Sequence, residues 1–350
     1  MKPTIVRKIR WAAIALLIVG LLAYVRRIPW ATAIATMRHA SPELLVLALC
    51  FHLLALCGKA GIWWTFLQPL GGPRITTVAR GTLMGATLNS LFVGSSGEAG
   101  RVLLMSRLTG IPSSSVLATV VLERAVDLCG FLTLLGWAAF LYPVPVELRI
   151  GTAVVLGIVI TIVLTQRLRS RPDAGDTARE TESRSLAQRC RRYLGRVLSS
   201  TRDIASTRRL TIAIALTLVD WCSELASYSL VARAAHFPIG VHGSLLILLA
   251  VNVGFLVRVT PGNVGVFELV YASVAHSLGF PTDVAIGVAL LLHLVQDVPT
   301  ALLGLSLGTR FFAGAPLPRL QVPRVRTSAH SLRTNPSTAP QAEPARSVSP

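Results

Sequence analysis

A chain of 350 residues with 52% hydrophobic residues, 14% charged residues and a mean hydropathy of +0.61 is too apolar for a soluble globular protein and too long for a lone membrane anchor. Its net charge of +18 gathers in the N-terminus, one central stretch and the tail, while the apolar segments are nearly free of Lys. That distribution follows the positive-inside pattern rather than a nucleic-acid-binding face, so the composition predicts an all-α, polytopic membrane protein with no nucleic-acid partner.

In chain order, Lys2, Arg7, Lys8 and Arg10 precede an apolar run from Trp11 to Val25. Arg26 and Arg27 follow at once, unlike the cleavage region of a signal peptide, so the run reads as an uncleaved first transmembrane helix with its N-terminus in the cytoplasm. A second span covers Leu44 to Leu67, interrupted by Lys59 and carrying Trp63 and Trp64 near its end, where indole rings commonly sit at headgroup level. The stretch Pro69 to Arg74 turns the chain into a third span, Val78 to Val93.

Gly94-Ser95-Ser96-Gly97 then breaks the pattern. The segment Glu98 to Leu108 is too short to cross about 30 Å of hydrocarbon at about 1.5 Å per residue, and it is expected to be a half-helix or re-entrant segment. Ser95 or Ser96 is its expected N-cap, with Glu98 in the first turn, where the helix dipole favours a carboxylate. After Gly110-Ile111-Pro112 a long span runs from Ser115 to Leu141 and places Arg124 and Asp127 on one helical face. Another span, Gly151 to Leu164, leads into an Arg-rich stretch from Gln166 to Arg209, read as a solvated cytoplasmic loop that touches anionic headgroups.

The second half repeats this plan. A span from Leu210 to Val231 carries Asp220 and Glu224 on one face, and another runs from Leu245 to Val257. Thr260-Pro261-Gly262-Asn263-Val264-Gly265 breaks a helix, and Glu268 opens a short one. Gly279-Phe280-Pro281 precedes a last span, Val284 to Leu307, with His293 and Asp297 a helical turn apart, and the Pro-, Ser- and Arg-rich tail reads as disordered and cytoplasmic.

Asn89 thus recurs as Asn252, Glu98 as Glu268 and Gly110-Ile111-Pro112 as Gly279-Phe280-Pro281, while Arg124 falls opposite His293 and Asp127 beside Asp297. The expected organisation is an N-terminal helix and loop (1–42), a first transmembrane repeat (43–142), a connecting helix and Arg-rich loop (143–209), a second repeat (210–309) and a basic tail (310–350). If the N-terminus, the loop and the tail are all cytoplasmic and each short segment makes one partial crossing, the two repeats are inverted. Inverted repeats with paired broken helices point to a transporter whose site lies where the halves meet.

These residues resemble the flippase-like transmembrane family that includes the membrane half of lysylphosphatidylglycerol synthetases. The resemblance rests on Asn89, Gly97-Glu98 with Arg101, Glu123-Arg124 with Asp127, and Asn252 followed by Thr260-Pro261-Gly262, Gly265 and Glu268. It spans residues 10 to 310 and implies translocation of a lipid or lipid-linked substrate in the plasma membrane. Members often carry Pro and Arg just before the Gly-Glu pair, where this chain has Val93-Gly94-Ser95-Ser96. No aminoacyl-transferase domain is expected in the short tail after Arg310, so lysyl transfer is not implied.

The candidate substrate-binding residues are Glu98, Arg101, Arg124, Asp127, Arg258, Glu268, His293 and Asp297. Charges near the bilayer centre cost roughly 2.5–3.5 kcal/mol each even on lenient insertion scales, so they need one another, water or a ligand. They are either structural ion pairs that lock the broken helices or headgroup ligands, with Arg101, Arg124 and Arg258 attracting a phosphate. One titratable imidazole, His293, opposite a permanent cation suits proton coupling or headgroup recognition. Asn89 and Asn252 are expected to hydrogen-bond across helices and satisfy freed backbone groups.

Cys50, Cys57, Cys129, Cys190 and Cys222 form no metal-type spacing, and those in apolar segments are expected to be small core residues; no metal, cofactor or disulfide framework is expected. The expected partners are anionic or polyprenyl-phosphate-linked lipids, with a separate soluble lipid-modifying enzyme as a further partner. Two other readings stay open: a membrane-embedded enzyme acting on a lipid headgroup or polyprenyl phosphate, and a lipid-binding scaffold for a separate enzyme. The first wants a nucleophile beside a base or carboxylates at metal spacing, and the sequence shows neither.

Overall fold

The computed structural model describes residues 30–91, 96–141, 200–201, 204–255 and 260–314, and its regular elements there are helices. The expected spans Trp11 to Val25 and Gly151 to Leu164, most of the Arg-rich loop, the tail after Gly314, Ser95 and Arg258 lie outside the described residues, while residues 310–314, expected to open a disordered tail, continue the last described helix. Residues 92–95 and 256–259 are likewise outside the described residues.

The first described helix, α1 (Trp30–Arg38), was not foreseen. Ser41, extended, and Pro42 at the first helical position then start α2 (Pro42–Leu67), because the proline ring presets the helical φ and its missing N–H has no partner to lose there. A 3-10 turn, Gln68–Leu70, ends α2, and the Trp64 indole N–H ties the turn back by donating to the Pro73 carbonyl at 3.0 Å. Next come α3 (Ile75–Leu91), α4 (Ser96–Thr109) and α5 (Ser113–Leu141), the last two joined through Gly110, whose φ of 73° suits glycine.

In the second half, α6 (Thr207–Ala234) is capped by the Ser206 hydroxyl, which accepts from the Arg209 amide. It is followed by α7 (Gly240–Gly254), a 3-10 turn (Pro261–Asn263), α8 (Val266–Ser277) and α9 (Thr282–Gly314). The segments Pro42–Leu70, Thr207–Ala234 and Thr282–Leu307 are long and apolar enough to cross a membrane. With α5 they form the long members of an all-α bundle, against which the short α4 and α8 are packed. Residues such as Val46, Leu54, Leu128, Leu218 and Leu302 point outward, as a lipid-solvated surface requires.

The most extensive contact is between α2 and α6, where a Cβ on Gly58 would sit 3.5 Å from the Cβ of Asp220. Around that seam the neighbour relations of α2–α5 recur in α6–α9. In each set the long first helix packs on the second and fourth, the second on the third, and the third on the fourth. Across the sets, α3 packs on α9 and, less extensively, α7 on α5.

Three expectations about side chains change. Trp63 is fully buried rather than interfacial: its indole N–H donates to Thr119 Oγ1 at 2.9 Å and its ring lies 4.8 Å beneath the Arg101 guanidinium. A cation–π partner inside the bundle holds the indole more firmly than the headgroup zone would. Cys50, Cys57 and Cys222 are exposed on the outer faces of α2 and α6, since lipid solvates a thiol as well as a core does. Asn252 donates to the Leu248 carbonyl of its own helix, whereas Asn89 does bridge a break, accepting from the Gly97 amide at 2.9 Å.

Candidate functional site

The acidic first turn of α4 sets the geometry of the first half. Glu98 faces two cations: Arg101, one turn along α4, at 2.8 Å, and Arg124 of α5. Arg101 also meets Glu123 through both terminal nitrogens, at 2.9 and 3.1 Å, with 5% and 6% of the two side chains exposed. Its charge is thereby balanced inside the protein. Arg124 reaches on to Asp127 at 3.1 Å but keeps 51% of its side chain exposed. Asp127 in turn accepts the Trp221 indole N–H at 3.1 Å, which links α5 to α6.

The second half builds a parallel arrangement with different chemistry. Gly265, at φ 94°, lets the chain turn into α8, and its amide donates to the Glu268 carboxylate, which reaches back to the helix start and has no exposed surface. The other Glu268 oxygen meets His293 Nδ1 at 2.8 Å, and His293 Nε2 points toward Asp297 Oδ2 at 3.4 Å. Phe267 packs against the imidazole, with ring centroids 4.2 Å apart, and Asp297 accepts from the Ser90 hydroxyl of α3. Acid, base and acid thus follow one another in both halves: Glu98, Arg124 and Asp127 in one, Glu268, His293 and Asp297 in the other.

A third cluster joins the halves along the α2–α6 seam. Lys59, 37% exposed, lies 3.8 Å from Asp220 and 3.9 Å from Glu224. His52 bridges Glu224, at 3.4 Å, and the Thr300 hydroxyl, at 3.0 Å. Gln296 donates to Glu224 and Ser227, both at 3.1 Å. The break in α2's apolar run at Lys59 and the Asp220–Glu224 spacing signalled this cluster in the sequence, but nothing there showed that they meet.

All three clusters open onto one cavity of about 290 Å³. Of the sequence-predicted site residues, Glu98, Arg101, Arg124, Asp127, His293 and Asp297 line it, and Glu268 lies immediately behind His293. The described wall holds six carboxylates (Glu98, Glu123, Asp127, Asp220, Glu224, Asp297) against Lys59, Arg101 and Arg124, together with His52 and His293. Asn263 also lines the cavity and escaped the sequence reading. It sits in the Pro261–Asn263 turn at φ 58°, only 6% exposed, and neither atom of its amide finds a hydrogen-bond partner among the described residues. An amide left so in a polar cavity is ready to bind water or a ligand.

The sequence profile of the lysylphosphatidylglycerol synthase TM region matches residues 10–304. The chain belongs to that family. Every described residue of the cavity wall lies within the part that matches the lysylphosphatidylglycerol synthase TM region. The chain is also similar to the UPF0104 membrane protein PH1989 of Pyrococcus horikoshii, at 23% identity over 319 residues, covering 83% of this chain and 95% of that protein.

Proposed function

We propose that this membrane protein is a flippase or transporter that carries the phosphate-bearing headgroup of an anionic phospholipid or lipid-linked substrate through the cavity between its two four-helix sets. The observation that carries the reading is the cavity itself: a polar chamber of about 290 Å³, walled by ion pairs from both sets, inside a bundle whose outer faces are apolar. Buried ionisable residues are costly in such a setting and are ordinarily kept for a substrate or ion path. The recurring neighbour relations support two repeats that rock against each other, and their inversion is part of the proposal.

Arg124 and Lys59 are the Lys and Arg side chains of the wall with the most exposed surface, so they are the groups that meet the phosphate, while Arg101 holds α4 to α5. Arg258 remains a proposed phosphate ligand. The setting is proposed to be the plasma membrane, with the N-terminus, the Arg-rich loop and the tail in the cytoplasm, where the loop also offers a surface to a soluble lipid-modifying enzyme.

Protein reconstituted into vesicles should move a fluorescent anionic phospholipid between leaflets, read as loss of protection from a membrane-impermeant quencher. Arg124→Ala should abolish that movement while the protein keeps its helical content. Movement at the wild-type rate in Arg124→Ala removes Arg124 from the substrate path, and a lipid returned chemically altered favours an enzyme instead.

A further inference from the structure

We propose that His293 is a proton-binding site that loads together with the headgroup phosphate, with Glu98–Arg124–Asp127 as its permanently ionised counterpart. The inference rests on the phosphate-carrying function proposed above and concerns how the cavity balances the charge of its cargo.

The hydrogen bonds show which nitrogen takes the proton. Glu268 accepts from the Gly265 amide through one oxygen and faces His293 Nδ1 through the other. A carboxylate held in that way is an acceptor, so Nδ1 carries the hydrogen and the neutral ring keeps its lone pair on Nε2. Nε2 is buried, without a hydrogen-bond partner among the described residues, and lies 3.4 Å from an Asp297 oxygen. Lone pair facing carboxylate is the poorer arrangement; a proton on Nε2 turns it into a charge-assisted contact. Asp297 keeps 43% of its side chain exposed and lines the cavity, so Nε2 is one carboxylate away from that space.

The same positions in the first half hold Glu98, Arg124 and Asp127. Arg124 does not release its proton in a protein, whereas an imidazole exchanges one in the physiological range. The two halves therefore differ in the one property that matters for coupling.

The charge of the wall supplies the reason. Six carboxylates against three Lys and Arg side chains leave the wall with an excess of negative charge, which an arriving phosphate would increase even where it meets Arg124 and Lys59. The groups that face His293 repeat the imbalance. Glu268 of α8 and Asp297 of α9 itself meet the ring, and the same cavity wall adds Glu224 and Tyr228 from α6, His52 from α2 and, on Asp297, the neutral Ser90 of α3; α1 contributes no charged residue to that wall. A bound proton cancels part of the excess, so proton and phosphate each favour the binding of the other by the same factor.

The test uses the full chain in detergent micelles with a short-chain phosphodiester lipid, dioctanoyl phosphatidylglycerol, whose headgroup does not titrate near neutral pH. Binding by the wild type should take up close to one proton per lipid and weaken about tenfold for each pH unit above the imidazole midpoint. His293→Arg, which copies the first half, should bind with no such pH dependence between about pH 6 and 8. His293→Gln, which keeps a neutral donor toward Glu268, serves as the second variant. In sealed vesicles a gradient of about one pH unit should shift the steady-state leaflet ratio of the lipid up to about tenfold for wild type and not for either variant. Binding by the wild type without proton uptake, or proton uptake undiminished in His293→Arg or His293→Gln, overturns the proposal and leaves the headgroup site standing. Failure of the wild type to bind the lipid at any pH defeats the phosphate-carrying function, and this proposal with it.

Discussion

Arg101 and Arg124 lie on neighbouring helices and share Glu98, yet their surroundings assign them opposite work. Arg101 is enclosed by Glu98, Glu123 and the face of Trp63, so its removal strands the buried Glu123 carboxylate in a medium that does not solvate it and leaves Glu98 with Arg124 alone. Breaking a buried pair in this way costs about 3–5 kcal/mol. Arg101→Met should therefore lower the thermal denaturation temperature markedly in detergent. Arg124, half exposed, should cost less than about 1 kcal/mol on the same substitution, the scale of solvent-screened pairs. Equal destabilisation by Arg101→Met and Arg124→Met would contradict this division of labour.

The residue types of the site were legible in the sequence, since charges inside apolar runs announce themselves. The roles were not, because a count of Arg and Glu does not say which guanidinium is already spent. Trp63 shows the same limit: its place near the end of an apolar run matched an interfacial indole, and only the approach of α4 and α5 put a guanidinium over its face.

At the scale of helices, packing turns on where backbones must touch. Gly85 of α3 and Gly97 of α4 face each other so closely that a Cβ on Gly97 would overlap the Gly85 carbonyl and the Asn89 side chain that caps the break. An added Cβ on Gly136 of α5, by contrast, would meet no neighbouring element within 4 Å among the described residues. Gly97→Ala should destabilise the protein by about 1–3 kcal/mol through overpacking, and Gly136→Ala should be neutral or stabilising by up to about 1 kcal/mol. Thermal melts of the two variants against wild type check both signs.

Helix ends proved readable because Gly and Pro stop apolar runs whatever surrounds them. The expected spans Leu44 to Leu67 and Ser115 to Leu141, and the short helix opening at Glu98, match α2, α5 and α4 to within a few residues. The inward face of each helix was not readable. In a membrane both lipid and core accept Leu and Val, so the alternation that betrays the buried side of a soluble helix is missing. That is why the exposed Cys50 and Cys222 read as core residues. α1 went unseen for a different reason: it is nine residues long and weakly apolar, and packing holds it, with Ala33 and Thr36 against Gly287 of α9 and Met37 against the main apolar core.

For the whole molecule, the decisive property is the relative direction of the two helix sets. Pro112 and Pro281 occupy matching exposed turns, before α5 and before α9. In a protein freed of its five native cysteines, Pro112→Cys and Pro281→Cys should be modified by an impermeant thiol reagent from opposite sides of sealed vesicles. Modification from the same side would make the halves parallel and remove the basis for rocking about a shared axis.

Trp221 gives the molecule a consequence of a practical kind. Its indole N–H is anchored on Asp127 in the wall of the chamber, and its ring rests against Phe131 at 5.7 Å between centroids. Any cargo that draws Asp127 aside alters the polarity felt by that indole, so the chain carries its own optical reporter. Adding lipid should change the intrinsic emission of the wild type, and a Trp221→Phe protein should lose that part of the signal, which allows occupancy to be followed without a dye.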